Sequence, residues 1–241
     1  MTGADAARLA WARAYPFEAP ERSYIYHVDG IRAFDPASTA GRTPVLAIGS
    51  NRAPERLRQK FGHDPDHDVP VQKARLKNFD IVYATHITSY GAAPAMLQVS
   101  PGTEIDLWLN WLTDDQLAIM HATEIRAANY VFAALKGVRV LLDDGRRIGT
   151  IHAYVGRRGH FTHNKSPLAM AAVPAKNRRY PAADTATALE RMHKKAAVAE
   201  DLDGFILRCI DDPDYRAAVV ETLSRDSVRF GFPYDVVAPA G

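Results

Sequence analysis

The sequence predicts an α+β protein built on a small barrel or a strongly bent sheet, with an N-terminal extension and C-terminal helices. Three observations carry this. Short strand-like runs joined by turns follow one another from Val71 to Val155. The few helical patterns lie between and after them, and a compact strand–turn–helix unit precedes them all.

The chain has 241 residues, 47% of them apolar, enough to bury the core of one large domain or of one domain with extensions. A single cysteine, Cys209, excludes an internal disulfide framework, and no run approaches the ~20 apolar residues of a membrane span. Met1 to Ala14 mix Asp5, Arg8 and Arg13 into an alanine-rich helical segment without the apolar stretch of a signal peptide, so a cytoplasmic protein is expected. The composition shifts divide the chain into an extension over 1–43, a barrel domain over 44–184 and helices over 185–241.

Tyr24 to Val28 alternate as a strand, and Asp35 to Gly41 form a loop. Pro44-Val45-Leu46-Ala47-Ile48 then reads as a buried strand, Gly49-Ser50-Asn51 as a sharp turn, and Pro54 as the first-turn residue of a helix closed by Gly62. Such a turn aims backbone N–H groups from the positive end of a helix, where an anion or a developing oxyanion can be held. An ordinary strand-to-helix connection has the same pattern. Gly49 has no glycine partner at phosphate-loop or dinucleotide-loop spacing. The loop from Gly62 to Asp68 holds two histidines and three aspartates, but proline and dense charge give it no fixed ligand set, and no metal is expected.

Val71 to Leu76 and Phe79 to Ile87 are expected as two strands separated by Lys77-Asn78, and Ala95 to Val99 as a third. Ser100-Pro101-Gly102 is expected as a turn into a strand over Glu104 to Leu112, with Ile105, Leu107, Leu109 and Trp111 on one face. Thr113 with Gln116 has capping-box spacing and opens a helix. On that helix Leu117, Met120 and Glu124 fall at i, i+3 and i+7, placing Glu124 on an inward stripe. Burial there raises a carboxyl pKa and makes a better base near neutrality. The alternative is a helix-end glutamate paired with Arg126 or a backbone amide. Tyr130 to Leu135 is ambiguous between helix and strand, and Val138 to Val155 is a hairpin about Asp143 to Arg146. His152, His160 and His163 lack the spacing of a helical metal pair. Helices follow over Thr185 to Ala199, through Cys209, and over Pro213 to Ser227; the aromatic end Phe230 to Tyr234 suits docking on the body or on a second copy of the chain as a homodimer.

Charge is unevenly placed. Gly145 to Lys195 holds eleven basic residues against two acidic ones, a net of +9 in a chain of +2. Such a segment can attract nucleic acid or an acidic small molecule, or be a solvated face. No aromatic-interleaved RNA motif or zinc-finger spacing accompanies it, which weighs against nucleic acid.

Gly49-Ser50-Asn51 after a strand, Pro101-Gly102 before an alternating strand, and Leu117 with Glu124 on the next helix occur in an order that resembles the γ-glutamyl cyclotransferase family over residues 44–155. The resemblance implies a small mixed β-barrel with flanking helices and a cofactor-free enzyme that releases 5-oxoproline from a γ-glutamyl amine or peptide. Position by position it implies Glu124 as general acid/base, Ile48 to Asn51 as the substrate-binding turn, and Tyr180 as the late tyrosine near the site. Three positions depart from the family pattern: Ile48 replaces a tyrosine, and Leu107 and Ile125 replace glycines. A non-catalytic module of the same fold holding an acidic ligand is the alternative from another class, and a nucleic-acid-associated protein is the third.

Overall fold

A computed structural model describes residues 2–62, 66–125 and 129–238. Helix α1 (Gly3–Arg13) and the hairpin β1 (Tyr24–His27) and β2 (Gly30–Ala33) lead to β3 (Thr43–Ala47) and α2 (Pro54–Phe61). Then come β4 (Val69–Tyr83), β5 (Ala95–Leu112), α3 (Asp114–Glu124), β6 (Tyr130–Leu142) and β7 (Arg147–Gly156). Helices α4 (Thr185–Ala196), α5 (Leu202–Asp211) and α6 (Pro213–Ser224) precede a terminal strand, Asp235–Ala238.

Five strands close on themselves in the order β5, β3, β7, β6, β4 and back to β5. The β3–β7 pairing is parallel and the other four are antiparallel, so the protein is built on a closed mixed barrel flanked by helices. Side-chain alternation explains how each strand serves two layers. Leu46, Leu107, Leu109, Ala133 and Ile151 enter the main core, while Val45, Ala47, Trp108, Phe132 and Tyr154 face a second cluster against α2 and α3. The expected alternation in Glu104 to Leu112 is present.

Two expectations about strands are corrected. Val71 to Leu76 and Phe79 onward form one strand, because Asn78 (φ 69°) is accommodated as a bulge at which the register with β5 shifts. Ser100-Pro101-Gly102 likewise bends β5 without ending it: Gly102 (φ 86°) donates its N–H to the Asn78 side-chain oxygen at 3.0 Å. The ambiguous Tyr130 to Leu135 is strand. The Thr113–Gln116 capping box forms as expected.

Parts of the segments 2–43 and 185–238 share the barrel's core. Leu9, Ala12 and Tyr15 cluster with Phe205 and Val219, and β1 pairs with β4. Phe232 packs edge-on against Phe79 with ring centroids 5.1 Å apart, and the terminal strand pairs with β6. Among the described residues, no helix is long and apolar enough to cross a membrane.

Candidate active site

The turn after β3 and the end of α3 meet in space. Ser50–Arg52 form a single 3-10 turn, closed by the Ala53 N–H donating to the Ser50 carbonyl at 2.9 Å. Asn110 on β5 ties this turn to the barrel, its side chain donating to the Asn51 carbonyl at 3.1 Å. Gly49 is set by close approach: a Cβ there would lie 2.0 Å from the Tyr15 hydroxyl oxygen and 3.3 Å from Ala95 Cβ.

Glu124 is the last residue of α3, one turn beyond the buried Met120. Its Oε1 accepts from Asn51 Nδ2 at 3.1 Å and from Lys60 Nζ at 2.5 Å. Lys60 comes from the last turn of α2, its side chain only 3% exposed, and it also donates to Thr123 Oγ1 at 2.6 Å. Among the described residues no donor reaches Glu124 Oε2. Among the described residues no donor reaches the buried Asn51 Oδ1.

The expectation of a raised carboxyl pKa at Glu124 is corrected by Lys60. Burial pushes the pKa up, but the adjacent ammonium and the hydrogen bonds from Lys60 and Asn51 outweigh it and leave the carboxyl below its ordinary value. The glutamate does stand at the helix end and is ion-paired, with Lys60; Arg126 lies outside the described residues.

Two cavities meet at this acid. An inner chamber of about 40 Å³ is lined by Ile48, Gly49, Ser50, Asn51, Glu124 and Tyr154, among others. A cleft of about 580 Å³ lies beside it, and Tyr15, Ser50, Glu124 and Tyr130 line both. The chamber is of the order of one or two water molecules (~30 Å³ each), so it fits a carbonyl or carboxylate head, with the rest of a ligand in the cleft. Tyr15 and Tyr130 hold the wall between them at Ala95: the Ala95 N–H donates to Tyr15 Oη at 3.0 Å, and Tyr130 Oη donates to the Ala95 carbonyl at 3.1 Å. Tyr154 Oη and His121 Nδ1 are 2.8 Å apart. In the cleft, burial chiefly, with Arg158, pushes the His86 imidazole down to about 4, so it is neutral at physiological pH.

The structure thus brings Ile48, Gly49, Ser50, Asn51 and Glu124 together. Tyr180 lines neither cavity, and its hydroxyl donates to the Val99 carbonyl at 2.5 Å, beside the bend of β5. Of the departures, Ile48 faces the chamber, whereas Leu107 and Ile125 are buried in the two hydrophobic clusters. Sequence reasoning missed Tyr15, His86, Tyr130 and Tyr154. For Tyr154 a signal exists, since it alternates with the core residues Ala153 and Val155 on β7. Among the described residues no group of three or more His, Cys, Asp or Glu side chains gathers as metal ligands; His63 and Asp64 of the charged loop lie outside them. His152 instead stacks on Phe132 at 5.2 Å.

No protein-family model and no curated protein matches the chain. Solved structures that resemble it include one described as gamma-glutamyl cyclotransferase, with 17% identity over 73% of this chain and 85% of that one, at a TM-score of 0.38. An uncharacterized Homo sapiens protein shares 16% identity over 90% of this chain and 94% of its own, at 0.36. An Arabidopsis thaliana protein shares 16% over 52% of this chain and 66% of its own, at 0.37. At these identities and scores, any reading of function rests on the chain's own residues.

Proposed function

We propose that the protein is a γ-glutamyl cyclotransferase-like enzyme that releases 5-oxoproline and a free amine from a γ-glutamyl amine or peptide. The observation that carries this reading is the Asn51–Glu124 hydrogen bond, which joins the strand–helix turn to the acid at the boundary of the two cavities. The substrate's α-ammonium gives a proton to Glu124 Oε2, the oxygen that no donor reaches among the described residues. The freed amine attacks the γ-carbonyl carbon, and backbone N–H groups of Gly49 to Asn51 meet the developing oxyanion. Glu124 passes its proton to the leaving nitrogen as the original amide bond breaks, then takes the second proton shed by the ring nitrogen and yields it to the free amine, which departs as an ammonium. Ring closure of a folded substrate demands chiefly orientation, which a narrow chamber beside a wide cleft supplies.

A panel of γ-glutamyl amines and dipeptides, assayed for 5-oxoproline, tests the proposal. Turnover that falls by about 100-fold or more in Glu124→Gln supports it; no turnover across the panel, or turnover unchanged in the variant, refutes it. One observation favours a second reading: among the described residues, Arg56, Lys60 and Arg216 line the cleft against the single carboxylate of Glu124. A non-catalytic module for an acidic small molecule would give ligand-dependent thermal stabilisation without product.

A further inference from the structure

A second cleft, about 760 Å³ in volume, lies on the other side of Tyr15 and has no part in the reaction above. Its walls include Tyr15, Phe17, Arg52, Lys73, Trp108 and Pro174. Arg52 is 7% exposed, and among the described residues no carboxylate lies within ion-pair distance of it. Its guanidinium carbon stands 4.8 Å from the centroid of the Trp108 ring, and Nη2 donates to the Ala172 carbonyl at 3.3 Å. Its Nε is buried and, among the described residues, has no hydrogen-bond partner. Trp108, 6% exposed, has an indole N–H in the same condition. Lys73 Nζ lies 5.5 Å from the same ring and donates to the Glu21 carbonyl at 3.1 Å.

A nearly buried cation without a counter-charge, beside a second buried donor without an acceptor, is a costly combination. An anion entering the cleft supplies the counter-charge that Arg52 lacks. The carboxylates that line it, Glu18 and Glu21, belong to exposed residues, and neither is paired with Arg52. We propose that this cleft is a binding site for a small organic molecule with an oxyanion head, carboxylate or phosphate, received by the paired positive charges of Arg52 and Lys73 over the Trp108 ring. The guanidinium supplies a charge fixed against Trp108, Lys73 adds a point charge from the rim, and the apolar wall of Phe17 and Pro174 accepts the body of the ligand.

The experiment follows the indole N–H resonances of the full-length protein while inorganic phosphate and, separately, succinate are added, with sodium chloride matching the ionic strength. Three tryptophans are present, so the Trp108 signal is identified by its loss in Trp108→Phe. The expected result is a saturable shift of that signal with one or both anions and none with chloride; whichever anion is tighter identifies the head. Lys73→Met should weaken that binding about tenfold, and Arg52→Met by more. Arg56→Met, which alters only the first cleft, should leave the Trp108 titration unchanged. Lys73 is half-buried on β4, so its variant keeps the test available if Arg52→Met fails to fold. An unmoved Trp108 signal, or one that titrates equally in folded Lys73→Met, overturns the proposal, as does loss of the effect in Arg56→Met alone. None of these readouts depends on turnover, so failure here is separate from failure of the cyclotransferase reading.

Discussion

Lys60 governs what Glu124 can do. An ammonium 2.5 Å from Oε1 keeps the carboxyl ionised and lowers its basicity at once. Because the folded-state pKa lies below the unfolded value of ~4.3, the ionised carboxylate stabilises the fold at neutral pH, and this contribution is lost as pH falls through the folded value. Lys60→Met is therefore expected to move the acid limb of a 5-oxoproline rate profile to higher pH, and Glu124→Gln to flatten this part of the acid dependence of thermal stability. Proteins titrated downward from neutrality in parallel melts would check the second expectation. Gly49 gives another residue-scale prediction. A methyl group there collides with the Tyr15 hydroxyl, so Gly49→Ala should cost about 1–3 kcal/mol in denaturant unfolding. Adding Tyr15→Phe, which removes the colliding oxygen, should recover part of it; equal costs with and without Tyr15→Phe would show that the collision is not the cause.

The elements that shape the barrel are β4 and β5, each bent at one residue of positive φ. Asn78 and Gly102 face each other across the pair and share a hydrogen bond, so the two bulges bend the strands together. Gly102→Ala forces a side chain into the left-handed region and should cost about 1–2 kcal/mol by chemical denaturation. In the sequence, Lys77-Asn78 and Pro101-Gly102 resemble turns because a bulge and a turn use the same residue types. Only the partner strand tells them apart, and a partner is not a local property. For the same reason α3 was legible throughout: its capping box and apolar spacing are local. Glu124 and the Gly49-Ser50-Asn51 turn were legible as separate pieces. The lysine between them was not, since Lys60 is one of several basic residues on α2 and its meeting with Glu124 depends on how two helices pack.

Across the whole molecule part of the basic segment is paired with carboxylates of the rest of the chain. Arg158 pairs with Glu221, Lys195 with Asp226, and Arg178 with Asp80. The last is internal: Asp80 is wholly buried and accepts from Arg178 Nε at 2.9 Å and from Nη2 at 3.0 Å. Removing one partner strands the other, so Arg178→Met should destabilise the protein by about 3–5 kcal/mol, measured by equilibrium unfolding. A substitution at Arg178 is thus a poor probe of nucleic-acid binding. Arg179, exposed and with a long contact to the Pro101 carbonyl, is the residue on which to test that property.

Tyr15 belongs to a segment moored far along the polypeptide. Helix α1 is fastened to α5 by the Arg8–Asp211 and Arg13–Asp203 ion pairs, and Tyr15 leaves α1 to close the wall above Gly49. On a translating ribosome the turn, the acid and Ala95, which grips the Tyr15 hydroxyl, emerge before α5, so the wall can close first and its helix is clamped only after residue 211 has been made.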